Sequence, residues 1–162
     1  MMDEFNLPAI AEKYNQDLAT LSNIQKIELA EYYLLNYAGG VTEVEWPLDH
    51  IICNKTYVRQ ITLPKGALLT GRVHNYDHTS IISTGDVSVL TNEGITRITG
   101  PATWVSKAGT KRLIYVHEET IWSTIHSTEH TEIADIENEL VHQSDLTWID
   151  ESIKLGVIKW LS

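Results

Sequence analysis

Between Lys55 and His126 the chain is a succession of short segments rich in β-branched and aromatic residues, separated by turn-forming residues. Eight such segments follow one another at nearly even spacing, with no helical pattern between them, which is typical of an antiparallel sandwich or barrel. The predicted strands are KTYVRQITL, ALLTGRVH, HTSIIS, DVSVLT, ITRIT, TWVS, KRLIYVH and TIWSTIH. This part of the chain therefore predicts a mainly β domain.

Helical patterns lie on both sides of these strands, over residues 1–54 and 128–162. A first helix is predicted from apolar residues three or four positions apart: Leu7, Ile10, Tyr14, Leu18 and Leu21. A second helix should begin at Ser22, which forms a capping box with Gln25, and end at Gly39–Gly40. Its apolar stripe is Ile24, Ile27, Leu34 and Leu35, and residues 41–54 read as a polar connection.

The C-terminal segment carries a large apolar load for a chain end. One predicted helix places Ile133, Ile136 and Leu140 on one face. A second stretch contains Trp148, Ile149, Ile153, Val157, Trp160 and Leu161. Side chains of this kind must be covered by the barrel or by another subunit. The sequence therefore predicts an N-terminal segment packed on the barrel, a C-terminal segment suited to subunit contact, and a homodimer.

Bulk properties limit the partners and the location. A chain of 162 residues with a net charge of −10 is one domain that repels nucleic-acid phosphates. Its apolar runs are too short to cross a bilayer, and its acidic start lacks the pattern of a secretory signal. The only cysteine, Cys53, excludes an internal disulfide and is expected to be packed. We expect a cytoplasmic protein with neither nucleic-acid nor membrane partners.

Two of the seven histidines flank the stretch Asn75–Tyr76–Asp77. In a hairpin with a three-residue loop, His74 and His78 would form the closing cross-strand pair on one face of the sheet. Two imidazoles held close together suit a divalent metal. The alternative is a solvated hairpin tip, because two ligands without a third are a weak signal.

A second predicted hairpin turns at Glu118–Glu119. Its alternation places one set of side chains on an aromatic and polar face, typical of a ligand pocket. That set is Lys111, Leu113, Tyr115, His117, Thr120, Trp122, Thr124 and His126. The opposite, mostly aliphatic face is expected to pack beneath the helices. The alternative is that the aliphatic face is the core and the histidines face water.

Residues 55–127 resemble the cupin superfamily of double-stranded β-helix jelly rolls. The first cupin motif is G-x5-H-x-H-x3-4-E-x6-G, and here Gly66 opens a similar stretch that Gly85 closes. Counting back from Gly85, His78 falls where the motif has its glutamate, and His74 falls near the second histidine. Arg72 stands in place of the first histidine, so the usual ligand set is altered.

The second cupin motif, G-x5-P-x-G-x2-H-x3-N, is matched by Gly100 and by KAGTKR. Lys107 takes the proline position, Gly109 fits, and Arg112 stands where histidine is usual. The stretches YVRQITLPKGALLTGRVH and VSKAGTKRLIYVHEETIWSTIH are also similar to small cupin-like proteins of tailed-phage genomes. A phage origin would place the protein in the host cytoplasm. The resemblance implies a cupin-like jelly roll flanked by helices, with a site inside the barrel.

Candidate metal ligands can be named even though this chain lacks the usual cupin ligand set. These are His74 and His78 on the first hairpin and His117 and His126 on the last. An all-nitrogen set favours Zn, Fe, Ni or Cu over Mg or Ca. Positive charge for a small anionic ligand would come from Arg72, Lys111 and Arg112, with Tyr115 and Trp122 lining the pocket. His50, His130 and His142 are read as surface residues.

Three functions remain open at this point. The first is a metal-dependent enzyme acting on a small molecule, for which Glu118, Glu119 and Tyr115 are acid–base candidates. The second is a non-catalytic module that sequesters a small anionic ligand, in which Arg72, Arg112 and Trp122 matter most. The third is a structural or interaction protein that presents surfaces. The sequence names no catalytic residue and no substrate.

Overall fold

The computed structural model describes residues 20–42 and 44–155. The three described helices are α1 (Asn23–Asn36), α2 (Ile133–Leu140) and α3 (Thr147–Lys154). The strands are β1 (Leu48–Cys53), β2 (Thr56–Leu63), β3 (Leu68–Thr70), β4 (Val73–His74), β5 (His78–Thr91), β6 (Gly94–Thr99), β7 (Ala102–Ser106), β8 (Leu113–Ser127) and β9 (Val141–His142). The predicted first helix, except Leu21, lies outside the described residues, as do Val157, Trp160 and Leu161.

Strand pairing defines a jelly roll. The long strands β5 and β8 run antiparallel to each other and pass through both halves of the barrel. In one half, β2 pairs with the end of β8 and β7 pairs with the start of β5. In the other half, β3 pairs with the start of β8 and β6 pairs with the end of β5. Two four-stranded halves linked in this way form a double-stranded β-helix, so the predicted fold class is confirmed.

Each long strand was predicted as two shorter ones. The β5–β8 register shifts between Ile82 and Val87, where the barrel turns its corner. Gly85 lies at this corner with φ +116°, and a Cβ atom there would overlap Thr120. The predicted turn at Glu118–Glu119 is wrong, because the chain continues there as part of β8.

The continuity of β8 decides which side chains face inward. Side chains alternate along an unbroken strand, whereas a two-residue hairpin loop would have put His117 opposite Thr120 on one face. The interior cluster contains Ile114, Val116 and Trp122 from β8. It also contains Leu63, Ile82, Val87 and Val89. The predicted inner face is therefore wrong over the first half of β8.

Helix α1 is attached to the outside of the barrel. Ser22 and Gln25 form the predicted capping box at its start. Ile27 packs against Leu90 and Leu113 on the outer face of β5 and β8. Next to this contact, Lys111 Nζ lies 2.8 Å from Glu31 Oε2, and the Lys111 side chain is 1% exposed. Lys111 therefore binds the helix to the barrel, which corrects its predicted place in the ligand pocket.

The C-terminal helices pack on different parts of the chain. Ile136 and Leu140 of α2 contact Tyr57, while β9 pairs with β4. On α3, Ile149 packs against Leu29 of α1. Trp148 donates a hydrogen bond of 2.9 Å to Glu28 of α1. The described part of the apolar tail is thus largely covered by the chain itself, although Ile133 is exposed.

Two local expectations for residues 41–54 are corrected. This stretch contains β1, which pairs with β2 through six residues. Cys53 is exposed at the end of this edge strand, because β1 has no neighbour on its other side among the described strands. No helix in the described ranges is both long enough and apolar enough to cross a membrane.

Candidate metal centre

Three histidines meet at one end of the barrel interior. His74 ends β4, His78 begins β5 and His126 is the penultimate residue of β8. Their ring centroids lie 4.1 Å apart for His74 and His78, 5.1 Å for His74 and His126, and 4.5 Å for His78 and His126. One ring nitrogen from each residue lies within 4.8 Å of the other two. Hereafter these residues are called the histidine cluster.

The loop between the first two histidines is anchored by its own polar residues. Asn75 donates its side-chain amide to Glu139 O at 2.8 Å, and its backbone amide to Leu140 O at 2.8 Å. Asp77 accepts hydrogen bonds of 2.8 Å from Lys107 Nζ and from the Ala108 amide. His74 pairs with Val141 of β9 rather than with His78. The predicted hairpin pairing is wrong, yet the short loop still brings the two imidazoles together.

Two ring nitrogens in the histidine cluster have no partner. His78 Nδ1 lies 3.2 Å from the Tyr76 carbonyl, to which only a protonated nitrogen can donate. His78 Nε2 then carries the lone pair, and it is buried with no hydrogen bond to any described residue. The same is true of His74 Nδ1. Buried polar atoms without partners are costly, so these nitrogens are set up for a ligand.

Burial keeps the cluster uncharged. Desolvation lowers the pKa of His74 to about 3, with further lowering by His78, His126, Arg112 and Arg59. Desolvation, with repulsion from His78, lowers the pKa of His126 to about 4. The pKa of His78 is also lowered, mainly by burial. At neutral pH all three imidazoles are in the deprotonated form that binds metals.

Two guanidinium groups lie beside the histidine cluster. Arg112, immediately before β8, is only 8% exposed, and burial lowers its pKa. Arg59 on β2 is partly buried, and desolvation lowers its pKa as well. The acidic side chain that acts on Arg59 is Glu137, whose carboxylate lies 3.4 Å from Arg72. Asp77 also acts on His78, but its carboxylate is paired with Lys107, so Arg59 and Arg112 leave an excess of positive charge near the cluster.

An open cleft of about 330 Å³ reaches the cluster from solvent. His78 and His126 form part of its wall. The other lining residues are Thr56, Asp77, Thr79, Val105, Ile125 and Ser127. The cleft therefore reaches the edge of the cluster, where His78 and His126 are only 5% and 6% exposed.

His117 does not join the other histidines. It lies nine residues before His126 on the same strand, on the outer face. Its Nε2 is 2.7 Å from Ser88 Oγ, and its ring contacts Tyr115 edge-on. The predicted convergence of four histidines is thus corrected to three. Tyr115 shares this outer face, so its predicted place in the pocket is wrong for the same reason.

The other predicted site residues are divided between the surface and the interior of the barrel. Arg72 is exposed and forms the ion pair with Glu137. Trp122 faces the interior and packs edge-on against Trp104, and Arg112 lies beside the cluster. Glu118 and Glu119, the acid–base candidates, are exposed at the barrel corner. They precede His126 on β8 by eight and seven positions.

Two residues near the site were missed from the sequence. Tyr57 lies opposite His126 in the strand register, and its hydroxyl is 2.7 Å from His50 Nδ1. Arg59 follows two residues later on the same face of β2. Both residues could have been predicted if the pairing of β2 with the end of β8 had been known. The sequence alone did not reveal that pairing.

No protein-family model matches this chain, and no curated protein matches it either. Solved structures with similar architecture include KdgF from Halomonas sp., at 12% identity and TM-score 0.47 over 59% of this chain and 89% of that one. A cupin-2 domain protein from Shewanella frigidimarina matches at 11% identity and TM-score 0.43, over 62% of this chain and 92% of that one. A cupin domain from Bordetella pertussis matches at 20% identity and TM-score 0.42, over 55% and 99% respectively.

At these identities the likeness concerns architecture alone, and the fold assignment rests on the strand pairing. The chain has a cupin-like jelly-roll fold with three histidines gathered inside one end of the barrel. The donor set fits a transition metal, because it is neutral, all-nitrogen and includes orphaned lone pairs.

Proposed function

We propose that the histidine cluster binds one divalent transition metal and that the surrounding pocket holds a small anionic ligand. The observation that supports this is the approach of three ring nitrogens to within 4.8 Å of one another, two of the rings having a buried nitrogen without a hydrogen bond. A tetrahedral metal with Zn–N bonds of about 2.0–2.1 Å needs donors about 3.4 Å apart. The rings are stacked at interplanar angles of 1–27°, so metal binding would require them to rotate and to move closer together.

The residues around the cluster would support a bound metal. The hydrogen bond from His78 Nδ1 to the Tyr76 carbonyl fixes the ring and leaves Nε2 as the donor. Three protein ligands leave a coordination position open, and a metal there supplies Lewis acidity. An all-histidine set favours Zn, Fe, Ni or Cu. Arg112 and Arg59 would attract the negative charge of a ligand to this position.

Catalysis on a small molecule and plain sequestration of a ligand both use this pocket. The buried cationic side chain of Arg112 favours ligand binding directly, whereas the predicted acid–base candidates lie elsewhere on the barrel. We therefore infer ligand binding as the primary role and a metal-dependent reaction as an extension of it. A phage origin, a cytoplasmic location and a homodimer remain predictions from the sequence.

Metal analysis by mass spectrometry tests the proposal. Protein dialysed against a slight excess of Zn²⁺ should retain about one metal ion per chain, since one three-nitrogen site is present. The His74→Ala, His78→Ala double variant should retain at least tenfold less. The matched control is His130→Ala, which removes an exposed histidine outside the cluster. Equal retention by the wild type and the double variant would refute the site.

A further inference from the structure

Arg112 is a largely buried cation with no counter-ion among the residues that the structure describes. Its side chain belongs to a residue that is 8% exposed, and its guanidinium has neither a hydrogen bond nor an ion pair to any residue in 20–42 or 44–155. Burial is the sole cause of its lowered pKa, so no carboxylate offsets the cost of burial. Proteins seldom keep an arginine in this state unless it pairs with something that binds.

The charges near the histidine cluster do not balance. Gly109 donates its backbone amide to the His74 carbonyl at 2.9 Å, which brings the segment that ends in Arg112 next to the cluster, and Arg59 lies opposite Thr124 of β8. The charge of Arg112 acts on both His74 and His78, and that of Arg59 acts on His74. Glu137 acts on Arg59, but its carboxylate is already 3.4 Å from Arg72. A divalent metal would add two positive charges to the two guanidinium charges. A monoanion would leave much of this charge unbalanced in a poorly solvated site.

Further polar atoms point to a ligand in the same place. Trp122 Nε1 and Thr124 Oγ1 are buried with no hydrogen-bond partner among the described residues. Both precede His126 on β8 at two-residue intervals, so they share its inward face. An indole N–H and a hydroxyl are suitable donors to oxyanions. They continue the polar inner face of β8 from the cluster toward the barrel interior, although neither residue lines the open cleft.

We infer that the site binds a small dianion, with one oxygen at the open metal position and another on the guanidinium of Arg112. The inference deepens the proposed function and rests on it. Guanidinium matches carboxylate and phosphate oxygens in bidentate geometry, and the shared chemistry is a compact compound with two negative charges. A short dicarboxylate and a phosphate group both satisfy that description.

Calorimetric titration of the zinc-loaded protein with malonate, inorganic phosphate and acetate tests this inference. At least one of the two dianions should bind at least tenfold more tightly than acetate. Arg112→Gln should weaken that binding about 10- to 100-fold, as expected for loss of a charged hydrogen bond. The same variant should keep its zinc. The matched control is Arg97→Gln, which removes an exposed arginine paired with Asp86 and should not change the affinity.

The outcomes separate the two proposals. If the wild type holds no zinc, the metal proposal fails. Dianion binding is then tested by the melting temperature of the metal-free protein. A rise with malonate or phosphate in the wild type but not in Arg112→Gln supports the inference, and no rise overturns it. Acetate binding as tightly as both dianions, or equal weakening in Arg97→Gln, also overturns it.

The melting temperature of the ligand-free variants distinguishes ligand binding by Arg112 from a purely structural role. Removal of an unpaired buried charge should leave the melting temperature of the ligand-free protein unchanged or higher. A marked fall for both Arg112→Gln and Arg112→Met, or their failure to fold, would show that Arg112 holds the barrel together and would overturn the inference.

Discussion

At the scale of single residues, burial determines the protonation state of the three histidines at this end of the barrel. His74, His78 and His126 are uncharged because water is excluded from them, and because Arg59 and Arg112 add positive potential at His74. Asp77 faces the same cleft, but its carboxylate is occupied by Lys107 and the Ala108 amide. Tyr57, buried against α2, covers the cluster on the side of β2. The stability of the metal-free protein should therefore depend on the protonation of these imidazoles.

The first prediction concerns pH. Unfolded histidines take up protons near pH 6.5, whereas the folded-state pKa is about 3 for His74 and about 4 for His126. Below pH 6.5 the unfolded chain binds more protons, so the free energy of unfolding falls as pH falls. The slope is at most about 1.4 kcal/mol per pH unit for each imidazole. Urea denaturation of metal-free protein at pH 7.0 and 5.5 measures it.

A matched pair of variants isolates this effect from the acidic groups. The His74→Gln, His126→Gln double variant should lose much less stability between pH 7.0 and 5.5 than the wild type. His130→Gln should behave like the wild type. Parallel pH profiles for the wild type and the double variant would show that the cluster is not buried in the uncharged form.

The second prediction concerns His117. His117→Ala should leave the metal content unchanged, because this residue lies on the outer face of β8 and pairs with Ser88. Loss of that hydrogen bond should cost about 1 kcal/mol in the free energy of unfolding. Metal analysis and urea denaturation of the same sample measure both quantities. A loss of bound metal in His117→Ala would return this residue to the ligand set.

At the scale of elements, a buried ion pair adds to the apolar contacts that attach α1 to the barrel. Lys111 and Glu31 join the helix to the barrel at 2.8 Å, and Thr70 adds a hydrogen bond of 3.0 Å to Glu31. Lys111→Ala should lower the free energy of unfolding by about 3–5 kcal/mol, because it leaves Glu31 partly buried without its partner. Urea denaturation measures the loss.

The control for this prediction is an exposed ion pair. Lys55→Ala breaks a pair with Glu129 whose side chains are 70% and 78% exposed, and it should cost less than about 1 kcal/mol. The Lys111→Met, Glu31→Leu double variant should be more stable than Lys111→Ala. Equal, small losses for Lys55→Ala and Lys111→Ala would show that the buried pair does not attach α1.

The elements show how far local patterns can predict this structure. Alternation and turn residues located the stretches that form β2 to β8 but missed β1 and β9, and Ser22 with Gln25 located the start of α1. They failed at Glu118–Glu119, where adjacent acidic residues resemble a turn. There β2, β3 and β5 hold β8 in one continuous strand. That error reversed the facing of the residues before the corner, which is why His117 and Tyr115 were assigned to the pocket.

At the scale of the whole molecule, the cluster exists only because distant segments meet. His126 arrives from β8, and β4 is positioned by β9, from beyond the barrel. The sequence could suggest His74 and His78 as a pair because three residues separate them. It could not identify Arg59 or the role of Tyr57, because those positions depend on which strand pairs with which.

The prediction that belongs to the whole molecule is the homodimer expected from the apolar tail. The described part of the tail packs mainly on α1 through Ile149 and Trp148, so its surface is smaller than the sequence suggested. The dimer remains a prediction for the full chain. Light scattering at micromolar concentration should give twice the 18.3 kDa mass of one chain. A mass equal to one chain would contradict it.

The most direct test of the metal site is X-ray absorption at the zinc edge of the zinc-loaded protein. We predict a first shell of nitrogen and oxygen at about 2.0–2.1 Å, with the scattering pattern of three imidazoles. At equal protein concentration, the zinc-edge signal of the His74→Ala, His78→Ala variant should be at least tenfold weaker. A zinc shell with fewer than two imidazoles in the wild type, or the same shell in both proteins, would contradict the site.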